Sequence, residues 1–149
     1  MSALDAGLKR LSARALSRGE LRQRLLARFP EREVEAALNR LAELGYLNDR
    51  RLAFDRADDA LANGRGPELI RVRLAAAQID EPALGDALAA LSGRVEQACL
   101  DLLRAKLGPA PDARALMRAR RLALGRGFDQ EMVESLLRRH WPRTQESAS

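Results

Sequence analysis

The stretch Phe29-Pro30-Glu31-Arg32-Glu33-Val34-Glu35-Ala36-Ala37-Leu38 decides the fold, because its skeleton, Phe29-x4-Val34-x3-Leu38, returns twice. It reappears as Ile79-x4-Leu84-x3-Leu88 and as Phe128-x4-Val133-x3-Leu137, at offsets of 50 and 49 residues. In each copy the two apolar residues four apart share one stripe of a helix that opens on acidic residues, where negative charge complements the helix dipole. Upstream the copies also agree. Gly66-Pro67 with Ile70 and Leu74 leads into Ile79 as Ser17 with Leu21 and Leu25 leads into Phe29, with one residue fewer in the earlier copy. The third copy departs further, running from Pro111-Asp112 through a longer helix to Gly125-Arg126-Gly127-Phe128. A helical period near 50 residues indicates a tandem array, which offers an extended surface to macromolecules where an enzyme needs one enclosed pocket.

Working outward, 46% apolar residues with only 3% aromatic ones is the composition of Leu/Ala helix packing and not of a β core. The sequence predicts an all-α protein of three tandem three-helix repeats, about nine helices, at 1–47, 48–92 and 93–142, followed by a polar, disordered tail at 143–149. The first helix is expected over about Ala3 to Ala15. Ser17 with Glu20 forms a capping box for the second, which ends near Phe29. Glu31, Glu33 and Glu35 crowd the start of the third, and Gly45 stops it. Asn48 or Asp49 caps the fourth, which breaks at Asn63-Gly64-Arg65-Gly66. Pro67 and Pro82 suit the first turns of the fifth and sixth. Ser92-Gly93 reads as a linker, and the last three helices fall near 94–107, 112–124 and 129–139. Tyr46, Leu47 and Phe54 read as core between the first two repeats.

Charge is uneven. Residues 1–50 carry ten basic and seven acidic groups, 51–100 six and eight, and 101–149 ten and six, for a net +5. Basic ends suggest a polyanionic partner or a charged protein surface. The single cysteine, Cys99, excludes an internal disulfide and reads as core filler among Val95, Leu102 and Leu103. No apolar run approaches the roughly 20 residues that cross a bilayer, and nothing at the N-terminus resembles a signal peptide, so a cytoplasmic protein without a membrane partner is expected.

Catalytic chemistry is not expected. His140, the only histidine, lies at a helix end beside Arg138 and Arg139, so neither a His-based triad nor a multi-His metal site can be assembled. Gly64-Arg65-Gly66 and Gly125-Arg126-Gly127 follow no strand, and Lys9 and Lys106 lack the context of a phosphate-binding loop. These glycines read as helix stops. The expectation is no catalytic residue, no metal and no cofactor.

The informative polar surface is the eighth helix. At 100° per residue Arg114, Arg118 and Arg121 fall on one arc, opposite Ala115, Leu116, Ala119, Leu122 and Ala123. The positions four residues away hold Ala110, Leu122, Gly125 and Met117, none of them acidic. The ridge is either a solvated face or a contact for phosphate or an acidic protein. A helix-turn-helix reader of nucleic acid is the main alternative, although its recognition helices would open on Glu31/Glu33/Glu35, Asp80/Glu81 and Asp129/Glu131, acids that would face phosphates.

Glu43-Leu44-Gly45-Tyr46-Leu47-Asn48-Asp49 followed by Phe54, then Gly66-Pro67-x2-Ile70-x3-Leu74, then Arg126-Gly127-Phe128 occur in an order that resembles the RecX family, bacterial regulators of the RecA recombinase. The resemblance covers roughly residues 3 to 140. It implies three three-helix repeats in an elongated, curved array lodged in the groove of the RecA filament on DNA. There it inhibits ATP hydrolysis, strand exchange and co-protease activity. A monomer is expected, with weak non-specific DNA contact as a further partner, and a domain-swapped dimer stays open. Two departures stand out: Phe29-Pro30, where the family often has a glycine before the apolar residue, and Gln78, where a glycine is common.

Overall fold

A computed structural model describes residues 1–142; the tail expected at 143–149 lies outside the described residues. Nine α-helices and one 3-10 turn form the described chain, with no strand among these residues. They are α1 (Ala3–Ala13), α2 (Arg18–Leu26), α3 (Glu31–Glu43), α4 (Asp49–Ala62), α5 (Pro67–Ala76), α6 (Glu81–Leu91), α7 (Val95–Lys106), α8 (Ala113–Gly125) and α9 (Gln130–His140). The repeats are α1–α3, α4–α6 and α7–α9. Local chemistry sets most boundaries. Ser17 Oγ accepts the Glu20 N–H at 3.0 Å while Glu20 Oε1 accepts the Ser17 N–H at 2.9 Å, a reciprocal cap for α2. Asn48 Oδ1 accepts from Arg51 N at 3.0 Å before α4, and Gly45 ends α3 at φ +85°. The expected linker at Ser92-Gly93 is instead the 3-10 turn Ser92–Arg94, which leads directly into α7.

The chain forms two compact units, Met1–Arg56 with Arg73–Ala87, and Ala57–Val72 with the chain from Leu88 onward. Each helix of the second repeat therefore contributes residues to both units. In the first, Leu16, Leu21, Leu25, Val34, Leu38 and Leu41 are buried together with Leu47, and Leu8 and Phe29 pack against them. Gly7 lets α1 approach α3, since a Cβ there would lie 2.8 Å from Leu41 Cδ1. Tyr46 corrects the expectation of core packing: its side chain is 58% exposed, whereas its neighbour Leu47 is buried. Gly45 turns the chain so that one of the two points inward and the other does not. Phe54 is half-buried under the Arg50 guanidinium, 5.0 Å from the ring centroid.

Each unit contains one joint of the same design. In the first unit, the fully buried Ser17 donates its hydroxyl to Ala77 O at 2.5 Å. Gly19 lies so close to Gln78 that a Cβ would sit 2.6 Å from Gln78 Cβ. In the second unit, Gly66 N donates to Arg126 O at 2.6 Å and Glu68 N to Gly127 O at 3.2 Å. A Cβ on Gly66 would lie 2.5 Å from the Gly127 carbonyl, and one on Gly127 would lie 2.4 Å from Leu69 N. Both partners of the joint shift by 49 residues, Ser17 to Gly66 and Ala77 to Arg126.

The turns match bond for bond. Ala77, Gln78 and Ile79 donate to Arg73, Ala75 and Leu74; Arg126, Gly127 and Phe128 donate to Leu122, Leu124 and Ala123, each atom displaced by the same 49 residues. The left-handed residue of the turn is Gln78 at φ +62° in one and Gly127 at φ +92° in the other. Gly66 is thus no helix stop. It is a point of backbone contact, where its missing side chain leaves room and its N–H meets a carbonyl.

The two end repeats depart from this design. The α2–α3 turn is one residue shorter, with no left-handed residue among Ala27, Arg28 and Phe29. The α8 helix starts three residues before the position that aligns with Pro67, capped by Asp112, whose Oδ1 accepts from Ala115 N at 2.8 Å.

Candidate functional site

Residues Asp112 to Gly125 build the ridge expected from sequence. Leu116, Ala119 and Ala123 turn the apolar face of α8 inward against α7 and α9, which leaves Arg114, Arg118 and Arg121 exposed. None of the three has a hydrogen bond or ion pair among the described residues. Arg120, between them in sequence, behaves differently: its Nε lies 2.5 Å from Glu134 Oε1 of α9. Both atoms are sealed from solvent, so the ion pair is a buried one. A helical wheel separates Arg120 from the ridge but cannot name its partner.

The structure adds two groups that sequence reasoning missed. Lys106, at the end of α7, shares a groove of about 230 Å³ with Arg118, floored by Ala115, Ala119 and Leu122. Met117 stands 52% exposed on α8 beside the arginines. Its exposure follows from the wheel; the Lys106 contact required the packing of α7 on α8.

Elsewhere the charges are consumed in the fold. Arg22 binds Glu35 at 2.6 Å and Glu31 at 2.9 Å, and its hydrogen bond holds the Glu35 carboxyl below the usual carboxylate range against the effect of burial. Burial would raise Glu20, but hydrogen bonds from Arg56 and from the Ser17 backbone hold it below that range. Arg94 meets Asp58 at 2.5 Å on the rim of a second depression, about 620 Å³, whose walls include Leu61, Ala98 and Leu102. Cys99 is buried, and burial with the nearby Glu96 pushes its thiol up to about 11, the behaviour of core filler. His140 is exposed beside Trp141, with ring centroids 6.0 Å apart. No cluster of three metal-ligating side chains occurs among the described residues, and no described helix is long and apolar enough to cross a membrane.

Three-helix repeats, backbone joints at a fixed offset and a cationic helix face without internal partners define the class: an all-helical repeat protein. A family model described as RecX, first three-helix domain, matches residues 3–41. The regulatory protein RecX of Thermus thermophilus is 40% identical over 127 residues, covering 85% of this chain and 83% of that one. The regulatory protein RecX of Xanthomonas citri is 33% identical over 131 residues, 86% of this chain and 81% of that one. The crystal structure of RecX from Lactobacillus salivarius shares the fold, with a TM-score of 0.79 at 18% identity over 92% of this chain and 93% of that one. The chain belongs to the RecX family of regulatory proteins.

Proposed function

We propose that this protein binds the RecA recombinase filament along its helical groove and modulates it, mainly by inhibiting ATP hydrolysis, strand exchange and co-protease activity. The observation that carries the reading is 40% identity to a regulatory protein RecX across 85% of the chain, a span far longer than any one repeat. The cationic face of Arg114, Arg118 and Arg121 supports it, because unpaired arginines are free to meet an acidic filament surface. A sequence-reading DNA binder fits less well, since α3, α6 and α9 carry Glu31 and Glu33, Glu81, and Glu131 in their first turns.

The test is an ATPase titration on preformed filament. Inhibition below equimolar protein is expected, because one groove-bound chain contacts several protomers. No inhibition at equimolar protein, at low and at physiological salt, would refute the reading. A DNA reader would instead bind one duplex sequence about a thousandfold better than random duplex.

A further inference from the structure

We infer that the exposed side of α8, where Met117 flanks the ridge of Arg114, Arg118 and Arg121, docks a protein segment that presents an apolar side chain beside carboxylates. This deepens the filament contact proposed above and rests on it. The repeat offset identifies the surface. Adding 49 to Gly66, Glu68 and Leu69 gives Ala115, Met117 and Arg118; subtracting it gives Ser17, Gly19 and Glu20. In both earlier repeats these positions meet a turn. Ser17 and Gly19 face Ala77 and Gln78, while Gly66, Glu68 and Leu69 face Arg126 and Gly127. On α8 no described turn covers them.

The joint cannot simply recur there. The added first turn of α8 places Asp112 on the Ala115 N–H, so the bare backbone donor that Gly66 offers to a carbonyl is gone. Side chains now define the face. Arg114 and Arg118 stand one turn apart, roughly 6 Å along the axis, and Arg121 roughly 10 Å from Arg114. They form a cationic ridge without a carboxylate partner among the described residues, and Lys106 adds a further cation across the groove beside Arg118.

Protein is favoured over nucleic acid by the apolar side chain beside those arginines. Met117 is half in solvent. An exposed thioether gains nothing from a phosphate, whereas methionine and arginine are enriched at protein interfaces and methionine adapts to an apolar partner. The α8 sequence has no aromatic side chain on which a base could stack. Charge complementarity then sets the rest of the partner: carboxylates spaced to meet the ridge.

The test compares the full wild-type chain with Met117→Gln and Arg118→Glu, binding each to RecA filament and, separately, to a random single-stranded and a random duplex oligonucleotide over a range of salt. Thermal melts check that both variants fold, and Arg118→Gln replaces Arg118→Glu if that variant does not. Both variants are expected to weaken filament binding about fivefold or more. Only the arginine variant should flatten the salt dependence, and oligonucleotide binding should not respond to Met117→Gln. If Met117→Gln leaves filament binding unchanged while Arg118→Glu weakens oligonucleotide binding, the face is a phosphate contact and the inference falls. If wild type binds the filament and both variants bind it equally well, the inference alone falls. If wild type does not bind the filament, the proposed function falls and this assignment falls with it.

Discussion

Gly127→Ala tests the joint of the second unit, and Gly45→Ala is its natural control. Both glycines are left-handed, at φ +92° and φ +85°, where an L side chain costs about 1–2 kcal/mol. They differ in what the new Cβ would meet. At Gly45 nothing lies within 4 Å; at Gly127 the Cβ would stand 2.4 Å from Leu69 N and 2.8 Å from Leu69 Cβ. Backbone must therefore separate at Gly127, lengthening the bonds from Gly66 N to Arg126 O and from Glu68 N to Gly127 O. Each such bond is worth about 0.5–1.5 kcal/mol net, and the N–H of the buried Gly66, left without a partner, costs about 1–3 kcal/mol. The expected loss is about 1–2 kcal/mol for Gly45→Ala and about 3–5 kcal/mol for Gly127→Ala. At roughly 3 °C per kcal/mol for a chain of this size, Tm falls by about 3–6 °C in the control and about 9–15 °C in the joint variant. Thermal melts followed by far-ultraviolet circular dichroism read both. Equal shifts would refute the joint as a stabilising contact and leave only the left-handed turn to explain the glycine.

Gln78→Gly has the opposite sign: relief of an L residue at φ +62° outweighs the greater freedom of the unfolded glycine by about 0.5–1 kcal/mol, seen as a Tm rise. Glu20 has a folded pKa below its ordinary 4.5, so its contribution to stability is present above 4.5 and is lost as pH falls through the lower folded value. Melts should therefore show Glu20→Gln destabilising at pH 7, with the gap from wild type closing in strong acid; a gap independent of pH would count against the Arg56 and Ser17 contacts as its source. Reversing Arg114, Arg118 and Arg121 together to Glu should cost on the order of 1–3 kcal/mol of filament binding with Tm nearly unchanged, because none is paired among the described residues. Lost stability would show that the ridge was paired in the fold.

Most helix boundaries were legible because their causes are local. The Ser17/Glu20 box, the glycine stop at Gly45 and the prolines at Pro67 and Pro82 act within one turn, and the structure starts or ends helices there. Direction was harder to read. Tyr46 and Leu47 look alike in sequence, yet only the arrangement of α1 to α3 decides which enters the core. Gly66 and Gly127 each look like a helix stop alone; that they touch depends on two loops 61 residues apart being brought together. For the ridge, intrahelical spacing placed Arg114, Arg118 and Arg121 on one exposed arc, but Lys106 belongs to another helix and could not be found by that rule.

The same register explains both ends of the repeat series. In both joints the second helix of a repeat begins on a small residue whose donor meets a carbonyl of the neighbouring turn, the Ser17 hydroxyl in one and the Gly66 N–H in the other. Moving the cap three residues earlier, to Asp112, ties the Ala115 N–H to the Asp112 carboxylate and closes the position to a docking carbonyl. The positions that align with Gly19 and Glu20 hold Met117 and Arg118. At the other end, the shortened α2–α3 turn lacks the left-handed residue that both joints use, and Arg28 lies over the Phe29 ring, 5.6 Å from its centroid. On α8 the Asp112 cap replaces the backbone contact that Gly66 makes in the second unit, and side chains define the face instead.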